Sequence, residues 1–549
     1  MRRALILLVL PFVLPASAQA TAELTSFSVE PADLQAGGHP DVVIRQTIAP
    51  SGSDDVKDTF TRLAPGLLGN PQNAALCTSE QLRSSEGCPD DAKVGSVVVS
   101  ARLGPLYLPP DVPVNGTVYN LKPTGGEPAR LGLELNALAG VAGTTYLEAP
   151  VTLRPGPDGI GLETLFPEQP RDADGLDIQI RGVELTFDGE ASKGPFMRMP
   201  TSCATGTSLA RINSWDAPDV FSQLTHTITP TGCDALPFQP RADGSMGSPD
   251  QLLDGDFPPF STTLRLDPEG AALNRAEVTL PTSLAPNQAA LMRACLRPQA
   301  DATACPETSR MGTAIIDSPL QAQPVRGPVY LAFNTPAPLP GLMVVLPPPV
   351  DLRIDAVVET GAFGVRNVFP TNPDLPLRSF TLEFFGGPDG ILQLTDDLCG
   401  ARTPTAVTAR LTAHSGKVSE FKQELATPGC DPRARVTLRR KRKRWTLAAV
   451  LTAARRGPDI TSARVTLPKP LRRGKPKPRI HVDGRRVAAR RAKRAVKPRL
   501  DGGARRIKIV WRGLKVKRGK KLRPRAAVPV RMVDERGKTF ALRPRAPRG

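Results

Sequence analysis

Histidine, tryptophan and tyrosine are scarce, with four, three and four in 549 residues. The histidines, His39, His226, His414 and His481, lie far apart, and none belongs to a His-Glu-x-x-His pattern that would hold zinc. No Gly-x-Ser-x-Gly elbow, phosphate-cradling loop or dinucleotide-binding glycine turn sits between a strand and a helix. With aromatics at 5%, cores must be built from Val, Leu and Ala. Long helices are excluded too, because 59 prolines and 47 glycines interrupt the chain throughout. After the first 20 positions no apolar run reaches the roughly 20 residues a membrane helix needs.

Many short strands joined by turns fit such a composition. The start reads Met1-Arg2-Arg3, an apolar run from Ala4 to Pro15, then Ala18-Gln19-Ala20, the layout of a secretory signal peptide. A membrane anchor is the alternative, but the run is short and broken by Pro11 and Pro15. We expect residues 1–20 to be removed and the protein to be secreted, either extracellular or associated with the cell envelope.

Eight cysteines in an exported chain suggest disulfides. They form two sets of four: Cys77, Cys88, Cys203 and Cys233, then Cys295, Cys305, Cys399 and Cys430. Spacings of 11 and 30 in the first set return as 10 and 31 in the second, which marks a duplication. Flanking residues agree: Asn70-Pro71-Gln72-Asn73-Ala74-Ala75-Leu76 precedes Cys77, and Pro286-Asn287-Gln288-Ala289-Ala290-Leu291 precedes Cys295. The spacing predicts bridges Cys77 to Cys88, Cys203 to Cys233, Cys295 to Cys305 and Cys399 to Cys430. Metal ligation, the rival reading, wants closer cysteines or accompanying histidines. A third, cysteine-free echo appears in Ile460-Thr461-Ser462-Ala463-Arg464-Val465-Thr466-Leu467-Pro468, which repeats the strand and Leu-Pro turn of Val278-Thr279-Leu280-Pro281.

The expected fold is therefore all-β, with tandem immunoglobulin-like sandwich modules stapled by local disulfides and a basic β-rich C-terminal domain. Expected boundaries are 21–240 for the first module, 241–258 for a linker, 259–430 for the second module and 431–549 for the basic domain. Gln35-Ala36-Gly37-Gly38-His39-Pro40-Asp41, the run Leu63-Ala64-Pro65-Gly66-Leu67-Leu68-Gly69-Asn70-Pro71, and Cys88-Pro89 followed by Val94-Gly95 resemble the marks of uncharacterised secreted β-rich repeat proteins of actinobacteria. The resemblance covers most of residues 25 to 430 and implies export and a repeated β module, with no particular activity.

Charge is divided sharply. After Cys430 lie 42 of the 72 Lys and Arg but 6 of the 53 acids, so this segment carries +36 and the rest −17. Arg439, Arg440, Lys441, Arg442, Lys443 and Arg444 form its densest run, with further clusters at Arg485-Arg486, Arg490-Arg491 and Lys515 to Lys521. Such a concentration gathers polyanions. Anionic cell-wall polymers or the envelope surface are the expected partners; docking onto the acidic body is the plainer alternative, and nucleic acid a third, with only Trp445, Trp511 and Phe540 available to stack on bases. Nothing calls for a cofactor. Paired carboxylates could make the chain a glycan hydrolase, but their spacing is not legible in sequence. Asp172-Ala173-Asp174-Gly175-Leu176-Asp177 reads as an acidic turn rather than a calcium loop, and Asn115-Gly116-Thr117 as a turn rather than a glycosylated sequon. The expected function is that of a non-enzymatic surface or envelope protein.

Overall fold

The computed structural model describes residues 22–545 apart from 51, 53, 105–109, 137–142, 174, 401, 475, 493 and 523–525. The expected signal peptide, 1–20, lies outside the described residues.

Alternating side chains set the first module. In Val42–Pro50 the side chains of Val42, Ile44, Gln46 and Ile48 are buried while Arg45 faces out, paired with Glu30 on one neighbouring strand and with Glu184 on the other. Eleven antiparallel strands follow one another in the order Ala22–Pro31, Val42–Pro50, Leu176–Phe187, Lys93–Leu103, Val112–Leu121, Ala129–Asn136, Thr144–Gly156, Gly159–Phe166, Val56–Arg62, Gly206–Ser214, Ser222–Ile228. The sheet folds over at Thr144–Gly156, which pairs through residues 144–151 with one layer and through 151–156 with the other. Its two ends meet where the Leu24 amide donates to Ser222 Oγ at 3.0 Å. Val29, Ile44, Val97, Leu133 and Ile212 fill the space between the layers of this immunoglobulin-like sandwich.

The second module repeats that order strand for strand: Arg241–Met246, Phe260–Arg265, Ser379–Phe384, Arg310–Asp317, Val325–Ala332, Gly341–Leu346, Leu352–Gly361, Gly364–Phe369, Leu273–Thr279, Ala406–Ala413, Val418–Glu424. Leu352–Gly361 makes the same crossing between layers. The stretch 241–258, expected as a linker, must be corrected. Arg241–Met246 pairs along its whole length with Phe260–Arg265 and is the first strand of this module, the counterpart of Ala22–Pro31.

The basic domain has the same skeleton, shortened. Arg433–Lys441, Arg444–Thr452 and Arg506–Val516 pair as the first three strands of the other modules do, and continue into Arg479–Val482 and Arg485–Val487. Ile460–Thr466, Val530–Asp534 and Thr539–Leu542 repeat Val56–Arg62, Gly206–Ser214 and Ser222–Ile228, with Ala495–Pro498 and Ala489–Ala492 completing that layer. Leu447, Leu451, Ile480, Ile507, Ile509 and Trp511 form its core. The cysteine-free echo in the sequence is thus a third copy of the sandwich.

All eight cysteines are bridged in the expected pairs, Cys77–Cys88, Cys203–Cys233, Cys295–Cys305 and Cys399–Cys430. Cys77–Cys88 and Cys295–Cys305 each close a short excursion, where Cys77 and Cys88 pack with Leu82, Ala92 and Leu121, and Cys295 with Ala300, Ala332 and Met343; Cys203–Cys233 and Cys399–Cys430 each enclose the last hairpin of their module.

The two disulfide modules also touch. Ala36, Cys233 and Leu236 pack on Ala271 and Ala413. Buried Asp374 accepts from the Thr201 amide and hydroxyl, both at 2.7 Å, and the Arg198 guanidinium donates to Gly270 O at 2.8 Å. Gly66, in the Leu63-Ala64-Pro65-Gly66 turn, has φ +84°, and a Cβ there would stand 2.7 Å from the Asp374 carboxylate. That turn needs glycine both for its backbone and for the approach of the second module.

Candidate functional site

The run Arg439 to Arg444 is the tip of a hairpin. Arg439, Arg440 and Lys441 end one strand, Arg444 begins the next, and Arg442-Lys443 make the turn, with Arg442 at φ +52°. Pairing places Lys441 across from Arg444 and Arg440 across from Trp445, so the charges crowd one end of the sheet. All six side chains are exposed, and Arg440 Nε donates to Arg442 O at 3.1 Å. Ion pairs of this domain lie elsewhere, at Arg505–Asp459, Arg536–Asp534 and the contacts of Asp431 with Arg536 and Lys538. The six cations therefore have no carboxylate partner among the described residues, a concentration of like charge that costs folding energy and favours an external anion.

Other basic clusters spread over the same domain. Arg485, Arg486, Lys515, Lys517, Arg518, Lys520 and Lys521 are exposed, whereas the side chains of Arg490 and Arg491 lie outside what the structure describes. On the opposite layer Arg464 is paired across strands with Arg531, two like charges facing each other. None of the domain's ion pairs reaches an acid before Asp431, so docking onto the acidic body has no ionic contact to support it among the described residues. Trp511 and Phe540 are buried and Trp445 packs against the core, which removes them as platforms for bases.

The histidines do separate structural work. His39 Nδ1 meets Met197 O at 2.7 Å and its Nε2 lies 3.3 Å from Glu269; His414 meets Asn372 O at 2.9 Å; His226 accepts from the Val29 amide; His481 stands across from Arg486. No group of three or more His, Cys, Asp or Glu is arranged for a metal among the described residues. Asp172–Ala173 forms a two-residue bridge with Leu176 and Asp177, and Asp174 lies outside the described residues.

Carboxylates that are buried hold the fold. Burial pushes Asp55 up to about 6, against hydrogen bonds from the Val56 and Ile180 amides, while its Oδ2 has no partner. Burial would raise Glu127 as well, but the Thr124 and Gly125 amides and the Arg130 guanidinium outweigh it and hold Glu127 at about 2. An open depression beside Cys399 contains Asp254, Asp396 and Asp397, all exposed. A catalytic acid is tuned by enclosure, which these three lack. Between the layers of the second module an apolar cavity of about 200 Å³ is lined by Phe260, Leu280, Leu342, Phe369 and Leu392 and holds no acid.

No family model matches the chain, and no curated protein does. Solved structures similar to it include latent PorU from Porphyromonas gingivalis, 12% identical, covering 96% of this chain and 34% of that one at a TM-score of 0.13. The chain thus spans about a third of PorU. The collagen-binding domain of the Erysipelothrix rhusiopathiae surface protein RspB is 8% identical over 73% of this chain and 94% of its own, with a TM-score of 0.17. The major pilin subunit of Bacillus cereus is 10% identical over 72% and 87%, also at 0.17. At these scores the likenesses carry no argument, and the fold rests on the strand order and cores described above.

Proposed function

We propose that the chain is a non-enzymatic protein of the cell surface or envelope, in which two disulfide-stapled sandwiches form a spacer or binding body and the basic domain holds them to anionic wall polymers. The observation that carries this reading is the hairpin tip Arg439, Arg440, Lys441, Arg442, Lys443 and Arg444, exposed and without carboxylate partners. Four disulfides suit an oxidising compartment outside the cytosol. The sequence resemblance to secreted actinobacterial repeat proteins supports export.

Attachment by exposed charge is screened beyond about 8 to 10 Å at physiological salt, so it must weaken steeply as salt rises. Intact cells carrying the protein, washed in increasing sodium chloride, should release it by about 0.5 M, since a ligand contacting several cations loses orders of magnitude in affinity over such a range. Retention at 1 M would overturn the electrostatic attachment.

A further inference from the structure

The strand register gathers cations that are remote in sequence onto one sheet face. Arg435 is paired with Val450, which is paired with Lys508; one row along, Arg433 is paired with Thr452 and Thr452 with Arg506. Nearer the tip Arg439 pairs with Thr446, which falls at a bulge opposite Arg512 and Gly513. Residues paired directly across strands share a face. All six of these Arg and Lys side chains are exposed, and none has an ion-pair partner among the described residues. The strand between the two rows contributes Thr446, Ala448, Val450 and Thr452, none of which rises as a charge or a large side chain.

We infer that this face is a trough for a single extended polyanion chain whose charges are phosphates, lying along Arg444–Thr452 with one wall of Arg433, Arg435 and Arg439 and another of Arg506, Lys508 and Arg512. This rests on the polyanion reading above and narrows its ligand. The walls are two strand spacings apart, about 10 Å, which admits one extended chain. Along each wall same-face positions recur every ~6.7 Å; the first two carry cations, the third is Thr437 on one wall and Val510 on the other, and the fourth is again an arginine, so charge is spaced at about 6.7 Å and then about 13 Å. Five of the six wall residues are arginines, whose fork of donors matches phosphate oxygens two at a time. The floor has no aromatic ring, so bases gain nothing there and a base-free polyphosphate or phosphodiester chain is preferred over nucleic acid. Asp483, near the end of the Arg506 wall, is engaged by the Arg505 and Arg506 amides at 3.2 and 2.7 Å.

The test measures binding of the full chain to long-chain inorganic polyphosphate, single-stranded DNA and duplex DNA at several salt concentrations. Arg435→Gln with Lys508→Gln should weaken polyphosphate binding at least tenfold and reduce the salt slope by about 1.4, at about 0.7 for each single-strand contact. Ala448→Trp changes no charge and should weaken polyphosphate binding at least fivefold by filling the floor. Arg464→Gln with Arg531→Gln, an exposed pair on the opposite layer, should cost less than threefold. Unchanged binding by Ala448→Trp, equal losses from trough and opposite-layer variants, or duplex DNA bound as tightly as polyphosphate would overturn the trough while leaving a general polyanion surface. No binding to any polyanion at 50 mM salt would overturn the parent reading as well. Unfolding temperatures equal to that of the unsubstituted chain confirm that the exposed substitutions leave the fold intact.

Discussion

Asp55 shows how one side chain makes stability depend on pH. It sits buried at the start of Val56–Arg62, with Oδ1 accepting from the Val56 amide at 2.7 Å and the Ile180 amide at 3.1 Å, while Oδ2 meets nothing. Its carboxyl is raised to about 6 from an ordinary 3.8. A raised carboxyl binds its proton more tightly in the folded state, so its contribution is fully present below pH 3.8 and is lost as pH climbs towards 6. By pH 7.5 the ionised group costs up to about 3 kcal/mol. Asp55→Asn keeps an oxygen for the two amides and removes the charge. The variant should melt several degrees above the unsubstituted chain at pH 7.5 and at nearly the same temperature at pH 4; a difference constant with pH would exclude this cause. Glu127 works in the opposite sense: held at about 2, it stabilises the first module at neutral pH and loses that contribution as pH falls from about 4.5 to 2.

At the scale of elements, the disulfides separate the three copies of one sandwich. Closing loops of 11 and 30 residues restricts the unfolded chain by about 3 and about 3.5 kcal/mol. The basic domain has no such constraint and relies on Leu447, Ile507, Ile509, Trp511 and their neighbours alone. Calorimetry with and without dithiothreitol should therefore lower the transition of the first two modules by many degrees and leave that of the basic domain in place. What could be read in sequence at this scale was local: cysteine spacing, Leu-Pro turns, and alternation such as Arg506-Ile507-Lys508-Ile509, which already implied a charged face and a buried one. Register is not local. Arg435 and Lys508 are joined only because each pairs with Val450, and no spacing announces that. Arg241-Ala242-Asp243-Gly244-Ser245-Met246 reads as linker in sequence because it lacks apolar alternation. Only Met246 in that strand is fully buried, and a full ladder to Phe260–Arg265 holds it instead. The junction of the modules was equally hidden, since Thr201 and Asp374 look like surface turn residues until the fold brings them together.

That junction decides how the whole molecule responds to stress. Two sandwiches joined by a loose linker would unfold independently, whereas here Asp374 and Arg198 are buried between them and bonded across the boundary. Truncating Asp374 to alanine leaves the Thr201 amide and hydroxyl without their acceptor in a buried place. Such a loss costs about 1 to 3 kcal/mol, all of it in the contact and almost none inside either core. The unsubstituted chain should therefore show one transition for residues 22–430, and Asp374→Ala should divide it into two, with the first moved to lower temperature. Two separate transitions before substitution would mean that the contact couples nothing. One undivided transition in the variant would place the coupling in the apolar packing of Ala36 and Leu236 against Ala271 and Ala413. A coupled pair makes residues 22–430 one cooperative unit, and the basic domain joins it at Asp431, where Arg536 and Lys538 gather on one carboxylate.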